Sequence, residues 1–303
     1  MYPIVRLATA LALLTSGVAT MYIAIIGIKP IALEFGATRG AGSLTYTLLM
    51  VGYGSGGILM GYVSDRLGVM LPALFGSACL AVGFSLAATS TSLVEFYWMH
   101  GVLLGLLGSA SVFTPLVADI SHWFTARRGI AVAIVISGSY LGGAVWPPVA
   151  QSLFDSIGWR ATYQAFAWYS LLVMIPLCFV FAPTRKTTAS GANSIREQAF
   201  PARPLGMRPN SLQSLICVAG LGCCIAMSVP QVHLVAHATD LGHSAVDGAR
   251  MLALMLACGV VSRIASGWLS DRIGGLKTLL MGSVAQGVML VAFIPFDGLT
   301  ALY

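Results

Sequence analysis

Only 9% of the 303 residues are charged, 57% are apolar, and the mean hydropathy is +0.87, whereas a soluble domain carries about 25% charged residues. So few charges cannot cover a water-facing surface, which excludes an ordinary soluble enzyme and leaves a lipid bilayer as the solvent. The net charge of +6 does not point to nucleic acid, because the basic residues stand singly between apolar runs and form no stripe or arm.

Stretches of about 20 apolar residues predict nine transmembrane helices, over residues 7–28, 43–63, 71–88, 96–118, 130–153, 162–181, 212–235, 251–269 and 279–293. The first has the outline of a secretory signal peptide, with Arg6 before an apolar run. That run continues to Ile28, however, which is span length. Lys29 and Pro30 then interrupt it. Tyr22 in this span, Tyr46 and Tyr53 in the second, and His100 in the fourth are polar groups that a pathway through the bundle could use, although tyrosines also anchor and pack. Gly52 with Gly56, Gly57 with Gly61, and Gly101 with Gly105 are small-xxx-small pairs, read as close helix packing. Ser92 with Glu95 predicts a capping box that opens the fourth span.

The chain also repeats itself. Gly61-Tyr62-Val63-Ser64-Asp65-Arg66-Leu67-Gly68 returns as Gly267-Trp268-Leu269-Ser270-Asp271-Arg272-Ile273-Gly274, with Asp65 and Asp271 lying 206 residues apart. Such a period is too long for a solenoid and suits two fused bundles of six helices. The Arg-, Ser- and Pro-rich stretch after the sixth span is the seam. The expected domains are an N-terminal six-helix bundle at 1–182, a linker at 183–211, and an incomplete C-terminal bundle at 212–303 that ends in an exterior turn and the start of a tenth helix. With the N-terminus inside, eleven Lys and Arg residues between Arg6 and Lys277 face the cytoplasm, against Lys29, Arg39, Arg160 and Arg250 outside. Both Asp-Arg turns are then cytoplasmic.

Arg263 is the one charge unambiguously inside a span, about 12 Å along the helix from Asp271 at 1.5 Å per residue. An intramembrane arginine costs about 2.5–3.5 kcal/mol on insertion scales, so it faces a partner or a wet path, or it snorkels to the interface. No other carboxylate is expected deep in a span. His233, His237, Asp240 and His243 have a spacing that could gather a metal, but their place beyond Pro230 favours a solvated loop, and no metal is expected. The six cysteines lie inside apolar runs without CxxC spacing and are expected to be buried thiols. No H-E-x-x-H motif or pair of mid-membrane aspartates supports an intramembrane enzyme.

The two Gly-x-x-x-Asp-Arg-x-Gly turns resemble the signature loops of the major facilitator superfamily. The segment from Trp123 to Ala131, with Arg127-Arg128-Gly129, followed by Ser137-Gly138, Gly142-Gly143 and Gly158-Trp159-Arg160, resembles its monocarboxylate transporter and oxalate/formate antiporter branch. The resemblance implies an all-α membrane carrier that works by alternating access, needs no cofactor, and moves a small carboxylate with a proton or counter-anion across the cell membrane. It implies that Gly61, Asp65, Arg66, Gly68 and Gly267, Asp271, Arg272, Gly274 form conformational latches, the first onto helix eleven and the second onto helix five. It also implies that Arg263 and Lys29 hold the carboxylate. One departure stands out: proton-coupled members have an aspartate four residues before the eighth-helix arginine, where this chain has Gly259. A non-transporting, truncated protein of the same fold is the alternative expectation.

Overall fold

The computed structural model describes residues 2–124, 127–182, 207–240, 242 and 245–293, and these form helices with no strand among them. The helices are α1 (Tyr2–Gly17), α2 (Ala19–Glu34), α3 (Arg39–Leu67), α4 (Met70–Thr89), α5 (Leu93–Trp98), α6 (Ala110–Trp123), α7 (Arg128–Ile136), α8 (Gly138–Tyr169), α9 (Ile175–Cys178), α10 (Pro209–Asp240), α11 (Ala245–Ile273) and α12 (Gly275–Phe293). A π-helical stretch, Met99–Ser109, joins α5 to α6, so that Leu93–Trp123 runs as one rod. Among the described residues six segments are both long and apolar enough to cross a membrane, including Pro3–Glu34 and the 54-residue Arg128–Phe181, which bends at Gly158 (φ 79°). Helices cover the nine apolar stretches apart from single-residue breaks, and four of the stretches, 43–63, 71–88, 212–235 and 251–269, lie inside one helix that extends past them at both ends. Hydropathy marks the lipid-facing length, whereas backbone hydrogen bonding continues into the interface.

The chain divides into two compact units, one comprising Met1–Ala182 with Gly259–Asp271, the other Pro183–Cys258 with Arg272–Tyr303. Gly259–Asp271 packs with the N-terminal helices. In the second unit α10 and α12 touch, and their described side chains are mostly exposed. The side chains of His233, His237 and Asp240, all of His243, and the expected tenth-helix start lie outside the described residues.

Glycines decide how the first unit packs. A Cβ on Gly52 would sit 2.0 Å from the Gly101 carbonyl oxygen, one on Gly56 2.2 Å from that of Leu106, and one on Gly105 2.6 Å from that of Leu49. Two glycine stripes therefore meet backbone to backbone, where α3 lies on the Met99–Ser109 stretch, as the small-xxx-small reading anticipates. Behind this contact an aromatic core gathers Phe84, Phe96, Trp159, Tyr163 and Phe166, with ring centroids 5.6–5.8 Å apart.

Ionic contacts pin the two ends of this unit. At one end Arg6 is buried, and its Nε and Nη2 donate to the Asp119 carboxylate at 2.6 and 2.7 Å, with the guanidinium 4.8 Å from the ring centroids of Trp123 and Phe181. Arg6 is thus a buried, ion-paired cation, and its countercharge Asp119 lies one residue past the fourth apolar stretch, near the end of α6. At the other end Arg160 donates to Glu34 from Nε and Nη2 at 2.9 and 2.8 Å, and from Nη1 to the carbonyls of Ala88 and Ser90. The Trp159 indole also donates to Glu34. Ser92 caps α5 by accepting from the Glu95 amide at 3.3 Å, and the Glu95 carboxylate reaches back to the Thr91 amide at 2.9 Å and toward the Ser92 amide.

The cysteine expectation holds only in part. Cys178 is buried and Cys79 half-buried, whereas Cys217, Cys223, Cys224 and Cys258 are exposed. An exposed thiol on an apolar helix suits a lipid neighbour as well as a buried one suits a core.

Candidate functional site

The two copies of the repeated turn share one backbone device. Gly68 ends α3 with φ 75° and Gly274 follows α11 with φ 89°, a region nearly closed to residues with a Cβ. Their side chains differ in occupation. Asp65 is exposed, with no partner among the described residues, and Arg66 lies over the Tyr62 ring at 4.3 Å and donates to its hydroxyl. Asp271 instead receives the Gly129 amide at 2.6 Å and the Ile130 amide at 3.0 Å. These donors belong to the first turn of α7, where backbone N–H groups lack intrahelical acceptors and the helix dipole favours an anion. The contact needs two glycines: a Cβ on Gly129 would fall 2.5 Å from the Gly267 oxygen, and one on Gly267 2.6 Å from the Ala133 Cβ. Hence Gly267 sets the approach and Asp271, one turn on, closes it. Arg272 makes interactions of its own.

Asp271 forms one end of a cavity of about 530 Å³. It is lined on α7 by Arg128, Gly129, Val132, Ala133 and Ile136, and on α11 by Ser262, Arg263, Ser266, Gly267, Ser270 and Asp271. Arg263, Gly267 and Asp271 are spaced four apart, as are Ser262, Ser266 and Ser270, so one helical face presents a cation, hydroxyls and a carboxylate to the same space. Arg128 donates to the Ser121 hydroxyl at 3.1 Å.

Arg263 is held by Tyr140 of α8. The guanidinium carbon lies 4.4 Å from the ring centroid, and Nη2 donates to the hydroxyl at 3.2 Å. A cation–π contact of a half-buried cation contributes about 0.5–2 kcal/mol. Nε of Arg263 is the single buried side-chain nitrogen or oxygen among the described residues without a hydrogen-bond partner, a defect that costs about 1–3 kcal/mol. Neither ion pair among the described residues involves Arg263. Its charge faces the cavity beside a neutral aromatic.

The other candidates are distributed differently. The Tyr22 hydroxyl reaches the carbonyl of Ser139, next to Tyr140, at 3.5 Å. Lys29 is exposed on α2 and does not line the cavity. Tyr53 stacks edge-on against Phe113 at 5.7 Å. His100 is buried, with Nδ1 2.9 Å from the Phe96 carbonyl and Nε2 3.0 Å from the Tyr163 hydroxyl, inside the aromatic core. No metal-binding group of His, Cys, Asp or Glu occurs among the described residues. Sequence reasoning passed over Tyr140 and Asp119. The first had no signal beyond its place in a glycine-rich helix, whereas the second had one, a carboxylate at a span end that needs a buried cation.

A sequence comparison places residues 8–303 within the Major Facilitator Superfamily. The chain is 28% identical over 249 residues to an MFS-type transporter of Aspergillus niger, pynF, covering 82% of this chain and 55% of that protein. It is 29% identical to monocarboxylate transporter 13 of Rattus norvegicus over 76% of this chain and 53% of that protein. With YcxA, an uncharacterized MFS-type transporter of Bacillus subtilis, it shares 26% identity over 83% of this chain and 61% of that protein. The chain thus spans little more than half the length of these relatives. With a match that runs through nearly every helix described above, including both Asp-Arg turns, the chain belongs to the major facilitator superfamily.

Proposed function

We propose that the chain is a secondary transporter, or the larger part of one, that carries a small organic anion, a monocarboxylate, across the cell membrane by alternating access. The observation that carries this reading is Arg263: a guanidinium that lines a cavity of about 530 Å³ with a neutral aromatic partner and no ion pair among the described residues, the carboxylate of Asp271 in the same cavity being engaged by the Gly129 and Ile130 amides. An intramembrane cation is costly, and a carboxylate entering the cavity supplies the missing countercharge through charge-assisted hydrogen bonds. The likeness to monocarboxylate transporter 13 supports the substrate class.

In this reading the side chains divide the work. Arg263 is the anion's anchor, with Tyr22 one residue removed from its aromatic partner. Lys29, exposed on α2, attracts the anion before it enters. Tyr53 and His100 shape the bundle wall, since their polar atoms or rings are engaged with neighbours. Asp271 on the α7 amides is one state of the latch, with Gly267 permitting its closure, and Asp65 serves the equivalent turn. The excess of basic residues assigned to one side puts the N-terminus and both turns in the cytoplasm.

The test is flux. Purified chain in liposomes should take up radiolabelled lactate saturably, and Arg263→Gln should abolish that uptake while inserting and melting as the parent does. Saturable uptake by Arg263→Gln at the parental rate would remove the anchor. Absence of uptake by the parent with lactate, pyruvate, formate and oxalate would favour a non-transporting protein.

A further inference from the structure

Arg263 sits in a posture that a free arginine would abandon. Its Nε is shut away from solvent and pairs with nothing, although a long flexible side chain can ordinarily turn to satisfy such a donor. The posture persists because the guanidinium plane is fixed on one face by the Tyr140 ring at 4.4 Å and at one corner by its hydroxyl at 3.2 Å. The ring in turn needs room on α11. A Cβ on Gly259 would lie 2.9 Å from Tyr140 Cε1, 3.2 Å from Cδ1 and 3.3 Å from Cζ. Gly259 is four residues before Arg263, on the same helical face, so the absent side chain and the stacked cation belong to one arrangement.

Resting on the reading of Arg263 as the anion's anchor, we propose that Tyr140 is the positioning residue of that site, with Gly259 as the gap that admits its ring, so that the guanidinium is held with its Nη end toward the cavity. The ring contributes most, because it fixes the plane; the hydroxyl adds a hydrogen bond at one corner. Planarity matters here, since a guanidinium recognises a carboxylate through parallel N–H groups and loses that match when its plane rotates. Tyr140 carries no charge, so it orders the cation without neutralising it.

The experiment follows two readouts on the 303-residue chain in lipid nanodiscs: the dissociation constant for sodium lactate, and solvent exchange of the Arg263 Nε proton, assigned in arginine-labelled protein by its loss in Arg263→Lys. The parent should bind lactate and show slow exchange at Nε. Tyr140→Phe, which keeps the ring, should stay within about threefold of the parent in affinity, whereas Tyr140→Leu should weaken binding about tenfold and speed exchange at Nε. Gly259→Ala, which crowds the ring without altering it, should move both readouts the same way as Tyr140→Leu. If Tyr140→Leu and Gly259→Ala bind lactate as the parent does, with Nε still protected, the positioning role is overturned and the anchor stands. If the parent itself shows no lactate binding, the anchor fails and the positioning role falls with it.

Discussion

Substituting Gly267 by alanine tests the closest helix contact at the site. The new methyl would lie 2.6 Å from the Ala133 Cβ and 2.7 Å from the Gly129 oxygen, where ordinary contact begins at 3.4 Å. The backbones of α7 and α11 must then part by roughly 0.8 Å at this level, a change that overpacked sites accommodate only with strain. Asp271 lies one turn further along α11, and its bonds of 2.6 and 3.0 Å to the Gly129 and Ile130 amides would stretch past the useful N–H···O range of about 2.7–3.2 Å. Overpacking and the lost cap together amount to about 2–4 kcal/mol. Hydrogen exchange by mass spectrometry on the peptide containing Gly129 and Ile130 should show protection falling at least about tenfold, each tenfold being about 1.4 kcal/mol of opening free energy. Parental protection in Gly267→Ala, together with a parental melting temperature, would refute the claim that these two glycines permit the Asp271 contact.

Other outcomes follow from the same contacts. Asp119→Asn leaves the Arg6 guanidinium buried without its countercharge and should destabilise the chain by about 3–5 kcal/mol, read as a lowered melting temperature in detergent, whereas replacing both residues by apolar ones of similar size should recover most of the loss. Asp271→Asn should cost about 0.5–2 kcal/mol and increase exchange at the Gly129 and Ile130 amides, because a neutral amide caps the α7 dipole less well than a carboxylate; Asp65→Asn, at an exposed side chain without a partner among the described residues, should leave the melting temperature unchanged. Gly52→Ala should be the most damaging of the small-residue substitutions, since its methyl would meet the Gly101 oxygen at 2.0 Å, whereas Gly61→Ala, 3.6 Å from Thr114 Cγ2, should be tolerated.

Legibility in the sequence follows the range of the interaction. Apolar runs located the helices because lipid leaves the backbone no alternative to internal hydrogen bonding, and runs such as 43–63 and 251–269 fell short of their helix ends because that constraint extends past the hydrocarbon. The duplicated turn was legible since Gly68 and Gly274 answer a local demand, a positive φ at a helix end, that few other residues meet. The Gly52/Gly56 contact was legible for the same reason, spacing on one helix face. What escaped depended on partners distant in sequence. Arg6 and Asp119 lie 113 residues apart and Tyr140 and Arg263 lie 123 apart; neither pairing leaves a periodic trace, and each reads separately as an interface charge or a packing aromatic. The exposed cysteines escaped because in a membrane protein an apolar surrounding does not imply a protein one.

The central claim, that the positive charge of Arg263 exists for an anion, is tested most directly by equilibrium binding. Isothermal titration of the reconstituted chain with sodium lactate and with lactamide, its uncharged amide, should show heat for the first and none for the second, and Arg263→Gln should remove the lactate signal at unchanged melting temperature. Equal binding of lactate and lactamide, or undiminished lactate binding by Arg263→Gln, would contradict the account.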